Sequence, residues 1–120
     1  MENYSAENVI EKKSFDFAVR IYFLNEYLIK EKKAYTFAKQ ILKSGTSIGA
    51  NVAEAQHAQS KADFISKMSI ALKETAETVY WLRLLKATEV LNDNEAESLL
   101  NDSSEIYKIL SSIVKTSKEK

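Results

Sequence analysis

The sequence predicts an all-α protein, an antiparallel up-down-up-down four-helix bundle, and three observations carry that expectation. Proline is absent and the two glycines, Gly45 and Gly49, lie one helical turn apart, so almost nothing in the 120 residues forces the backbone out of helical geometry. Apolar residues recur at three- and four-residue spacing in successive blocks, the signature of amphipathic helices rather than of alternating strands. The blocks are separated by short polar breaks near Ala34, Gln59 and Asn92, and connections this brief make sequential helices antiparallel. A chain of this length buries roughly two-thirds of the surface its unfolded form would expose, so residues 1–120 read as a single domain with one core.

Taken in order, residues 1–13 read as a short lead-in, in which Ser5 could cap a turn or Val9 and Ile10 could pack as an extended segment. The first helix is expected from Ser14, as N-cap, to Lys33, with Phe15, Ala18, Ile21, Tyr22, Asn25, Leu28 and Ile29 facing inward. The second is expected from about Tyr35 to about His57. Its centre, from Ser44 to Ala53, holds both glycines among hydroxyl and β-branched residues and should cost about 2 kcal/mol relative to an Ala-rich turn. Either the helix breaks there, or Gly45, Gly49 and Ala53 form a smooth strip on which another helix lies unusually close. No proline or polar loop cluster accompanies the glycines, which favours close packing.

Ser60 with Asp63 resembles a capping box and opens a third helix that should run to about Val90. Phe64, Met68, Ala71, Leu72, Val79 and Leu82 form its core stripe. A second set, Ile70, Trp81, Leu84 and Leu85, projects elsewhere, and a helix apolar over most of its girth is buried on more than one side. In a domain this small the second neighbour is expected to be another subunit, which makes those four residues the predicted oligomer interface. Asn92 with Glu95 opens the fourth helix, where Leu99, Leu100, Ile106, Ile109, Leu110 and Ile113 face inward and the end from about Lys115 should fray.

Charge excludes some functions. Seventeen basic and seventeen acidic residues cancel, so the chain lacks the overall positive charge that drives phosphate-backbone binding. The charges are segregated, however. Lys30, Lys32, Lys33, Lys39 and Lys43 are accompanied only by Glu31, whereas residues 89–105 carry acids and no Lys or Arg. In an up-down-up-down bundle these two regions meet at the same end. Cysteine is absent, which removes disulfides, thiolate metal sites and cysteine nucleophiles. No apolar run approaches a membrane span and no signal core opens the chain, so the expected location is cytoplasmic.

Catalytic chemistry finds little footing, and no catalytic, cofactor or metal residues are expected. Glu54 and His57, three apart on a helix, have carboxylate–imidazole spacing, but a carboxylate-bridged metal bundle needs that motif twice and His57 is the sole histidine. Glu74 and Glu77 pair two carboxylates without a nucleophile nearby. An enzyme built on Glu54, His57, Glu74 and Glu77 is therefore the least favoured alternative. Gly45 and Gly49 fit neither phosphate-binding glycine pattern.

The run Lys43-Ser44-Gly45-Thr46-Ser47-Ile48-Gly49-Ala50-Asn51-Val52-Ala53-Glu54-Ala55 resembles the bacterial four-helix-bundle proteins, ribosomal-protein-like in name, that are encoded in intervening sequences of large-subunit ribosomal RNA genes. The resemblance continues through Ser60-Lys61-Ala62-Asp63-Phe64-Ile65, through Glu74 to Leu82, and upstream from Lys13 to Ile21. It implies a bundle assembled as a ring of five subunits, with ribosomal RNA or an RNA-associated protein as partner. A similar bundle is the accessory protein of diversity-generating retroelements, where a basic pentamer engages a reverse transcriptase and nucleic acid; this chain departs from it in being neutral. The expectation is thus a non-catalytic homo-oligomeric scaffold without cofactors. The alternative is a direct RNA binder in which assembly gathers Lys30, Lys32, Lys33, Lys39 and Lys43 into a basic surface.

Overall fold

Each predicted apolar block is helical in the structure, a computed structural model that describes residues 6–119. Helix α1 spans Ala6–Lys30, α2 Tyr35–Ala55, α3 Lys61–Ala87 and α4 Asp93–Glu119. Sequential helices pack against each other, α1 and α4 close the circuit along a sparser seam, and among the described residues α1 and α3 stand on opposite corners, as do α2 and α4. The result is a four-helix bundle about 46 Å long and 25 by 22 Å across.

The inward positions follow one rule on all four helices. They are Ile10, Ser14, Phe17, Ile21, Leu24 and Leu28 on α1; Ala38, Ile41, Gly45, Ile48, Val52 and Ala55 on α2. On α3 they are Met68, Ala71, Thr75, Thr78, Leu82 and Leu85, and on α4 Ala96, Leu99, Ser103, Ile106, Leu110 and Ile113. Steps of three and four alternate strictly, as in the seam of a coiled-coil bundle. Small polar side chains in this register are satisfied locally: Thr75 Oγ1 donates to the Ala71 carbonyl and Ser103 Oγ to the Leu99 carbonyl, both at 2.8 Å. Ser44 and Thr78 meet across the α2–α3 interface with 3.0 Å between their hydroxyl oxygens.

Helix α1 corrects the expected boundaries. It begins two turns before Ser14, which is buried mid-helix with its hydroxyl directed at the Glu11 carbonyl, 3.3 Å away, instead of capping an end. Most of the expected lead-in is therefore helical; Ser5 lies outside the described residues. The centre of α2 does not break. Thr46 and Ser47 each donate to the carbonyl four residues back at 2.6 Å, and Asn51 does so at 2.8 Å, so its polar side chains are occupied within the helix. The later boundaries behave as expected at their starts, since Ser60 Oγ accepts from the Asp63 amide at 3.0 Å and Asn92 Oδ1 from the Glu95 amide at 2.8 Å. Helix α3 stops at Ala87, where Glu89 adopts a left-handed φ of 61° and the Val90 amide bonds back to the Leu85 carbonyl at 3.1 Å, a Schellman closure without glycine. Helix α4 continues beyond Lys115 to Glu119.

Candidate functional site

The glycines in α2 bring α1 close. A Cβ on Gly45 would stand 2.8 Å from both Cγ atoms of buried Ile21, and one on Gly49 would stand 3.2 Å from the Ser14 carbonyl oxygen. Ala53, grouped with them by its four-residue spacing, is exposed. The reason is geometric: each four-residue step rotates about 40° around a helix, so a strip starting at Gly45 has turned outward by Ala53.

The other flank of α1 is held by charge. Lys13 Nζ lies 2.7 Å from Glu105 Oε1, Arg20 Nη1 2.7 Å from Asp102 Oδ2, and Arg20 Nη2 3.5 Å from Glu95 Oε1. Hydrogen bonding to Lys13, reinforced by its charge, holds the Glu105 carboxyl below its ordinary value, and the same bond raises Lys13. Three acids of α4, Glu95, Asp102 and Glu105, thus fasten α1 within the chain.

With its inner face and both flanks engaged, α1 still carries a second apolar stripe on its outer side. Phe15, Val19, Tyr22, Phe23 and Tyr27 are all exposed, Phe15 and Phe23 by 67% and 64%. Sequence reasoning missed this surface because it assigned Phe15 and Tyr22 to the core. The signal was nevertheless present, since α1 holds more large apolar residues than one inward register can accommodate.

The predicted interface on α3 is divided by the structure. Leu85 is fully buried in the chain's own core, so it belongs to no outer face; its position continues the Thr78–Leu82 register that the apolar count passed over. Trp81 is half-buried, edge-on to Phe37 at 6.1 Å and to Tyr80 at 5.2 Å between ring centroids, and its indole N–H donates to Glu77 Oε2 at 3.3 Å. Ile70 and Tyr80 are exposed, and half-buried Leu84 lines a groove between α3 and α4 with Tyr80, Arg83 and Leu100.

The five lysines separate as well. Lys30 pairs with Glu26 at 3.0 Å, whereas Lys32, Lys33, Lys39 and Lys43 are exposed and make no ion pair among the described residues. The basic and acidic connections do share one end of the bundle, where Lys32 borders a depression with Tyr27, Glu89 and Asp93.

The two pairs of the enzyme alternative, Glu54 with His57 and Glu74 with Glu77, lie on different elements, the first at the end of α2 and the second within α3. Glu54 pairs with Lys67 at 3.2 Å, ten residues along α3 from Glu77 and hence about 15 Å away in axial rise. His57 lies exposed beyond the end of α2. No group of three or more His, Cys, Asp or Glu residues placed to hold a metal occurs among the described residues, and no described helix is long and apolar enough to cross a membrane.

The sequence model of the 23S rRNA-intervening sequence protein family matches residues 6–112. Among solved structures, the chain is similar to a protein of unknown function from the S23 ribosomal protein family of Bacteroides thetaiotaomicron. The two are 55% identical with a TM-score of 0.91, and the match covers 92% of this chain and 99% of that one. No protein with a curated description matches the chain.

Proposed function

Because the chain belongs to the 23S rRNA-intervening sequence protein family, we propose that it is a non-catalytic, cytoplasmic, homo-oligomeric scaffold, assembled as the ring of five that the family resemblance implies. The observation that carries this reading is the outer stripe of α1. Five large apolar side chains aligned on one exposed helix face exceed what a monomer usually leaves to water. Exposed Ile70 and Tyr80 on α3, with half-buried Leu84, supply a second apolar face on the opposite corner of the bundle. Two different faces on opposite sides suit head-to-tail contacts, which close into rings when the rotation between neighbours allows it.

Light scattering at micromolar concentration tests the proposal. A stable oligomer is expected, and a monomer would overturn it. A second reading, direct contact with RNA, is favoured by Lys32, Lys33, Lys39 and Lys43, which are exposed, make no ion pair among the described residues, and lie in a stretch, residues 30–43, whose only acid is Glu31. Affinity falling steeply with salt is its expected signature, and absence of binding at low salt would end it.

A further inference from the structure

The first half of helix α2 carries charge of one sign. From Tyr35 to Ala53 it contains Lys39 and Lys43 and no acid, and its N-terminus begins at Ala34 without a side-chain cap or an acidic first turn. The positive end of the helix dipole therefore adds to the lysines instead of being neutralised. Tyr35, Lys39 and Lys43 follow one another at four-residue spacing on the outer side, so the two ammonium groups lie on successive turns roughly 6 Å apart in axial rise. Tyr35 is 58% exposed, and Lys33, two residues earlier in the connection, adopts a left-handed φ of 54°.

Two occupants could answer this positive stripe: the acidic segment of a second copy, or an anion from outside the assembly. The acidic segment is poorly suited. Within its own chain Glu95 and Asp102 hold Arg20, Glu105 holds Lys13, and Glu97 holds Lys86. Its remaining acids, Glu89 and Asp93, already border Lys32 at the end of the bundle.

Resting on the RNA reading above, we infer that the outer face of α2 binds an unpaired stretch of RNA, with Tyr35 stacking on a base and Lys33, Lys39 and Lys43 contacting its phosphates. An exposed ring offers its face only to a base that has left its own stack. Single-stranded segments present such bases, whereas an A-form duplex offers mainly phosphates and hydroxyls.

Fluorescence anisotropy of the full chain with a short labelled single-stranded RNA, and with a hairpin of the same composition, tests this. The single strand should bind more tightly than the hairpin. Tyr35→Ala should weaken it about 10-fold while Tyr35→Phe, which keeps the ring, retains the affinity. Combining Lys39→Gln with Lys43→Gln should flatten the slope of log K against log salt by about 1.4, two phosphates' worth for a single strand. Circular dichroism monitors folding, which an exposed tyrosine should not disturb. Equal or tighter binding of the hairpin, or a silent Tyr35→Ala, overturns the stacking inference even if the lysine effect persists, and leaves RNA contact standing. No binding of either RNA at low salt overturns both, while the scaffold reading continues to stand or fall on light scattering.

Discussion

Helices α1 and α3 occupy opposite corners of the same bundle and both carry more apolar residues than one core stripe requires, yet they dispose of them differently. Helix α3 folds much of its excess back into its own chain: Leu85 enters the core, and Trp81 lies against Phe37 with its indole N–H on Glu77. Helix α1 leaves Phe15, Val19, Tyr22, Phe23 and Tyr27 facing outward. An apolar second stripe on a helix is thus not by itself an interface. What decides is whether the chain's own neighbours reach it.

The largest expected effect tests the buried side of α3. Leu85→Ala should lower the unfolding free energy by about 2–5 kcal/mol, read from the urea midpoint, because it opens a cavity in the core. If Leu85 instead contacted another subunit, the loss would appear as weakened association with the monomer's stability retained. The next effect tests the exposed side of α1. Phe23→Glu should raise the dissociation constant of the oligomer at least about 30-fold, as burying an unpaired carboxylate at a hydrophobic contact is costly, while helicity by circular dichroism is unchanged. An oligomer that survives Phe23→Glu but dissociates on Leu84→Glu would move the principal contact to α3.

A smaller effect probes the inner side of α1. Gly45→Ala gains about 1 kcal/mol of helix propensity but places a methyl 2.8 Å from Ile21, whose surroundings are packed, and overpacking of this kind costs about 1–3 kcal/mol. The net expectation is destabilisation of about 1 kcal/mol by urea titration, relieved in part when Ile21→Ala is added. A Gly45→Ala protein more stable than the parent would mean that α1 yields easily, and that its outer stripe is less firmly positioned than the bundle suggests.

The division between α1 and α3 also explains what could be read from the sequence. Helix number, order and most boundaries were legible because absence of proline, capping residues such as Ser60 and Asn92, and apolar recurrence are local signals. The phase of each helix was less legible. Core positions occupied by Ser14, Gly45, Thr75, Thr78 and Ser103 do not register as apolar, so on α1 the count drifted onto Phe15 and Tyr22, and on α3 it left Leu85 outside the stripe. Strict alternation of three- and four-residue steps, allowing small hydroxyl residues that bond to their own helix, recovers the register. The pairing of α4's acids with α1 was not legible, since Lys13 and Glu105 are 92 residues apart and meet only once the bundle closes.

That pairing gives the smallest expected effect and bears on how α1 is held in position. Because Lys13 keeps the Glu105 carboxyl below its ordinary value in the folded chain, folding is favoured by the pair above the unfolded carboxylate range, and the contribution is lost as pH falls through the lowered folded value. At the alkaline end Lys13 is raised, so its contribution is complete below the ordinary lysine range and disappears as pH climbs through the raised value. Glu105→Gln should therefore be slightly less stable than the parent at neutral pH, and the two urea midpoints should converge as pH falls through the lowered Glu105 value. Both groups are exposed, so the difference is small and should shrink with added salt. If the oligomer keeps its size across that acid range while the midpoints converge, α1's outer stripe is positioned mainly by its glycine-lined seam with α2. If dissociation tracks the loss of the Lys13–Glu105 pair, the charged seam with α4 is what keeps that stripe presented.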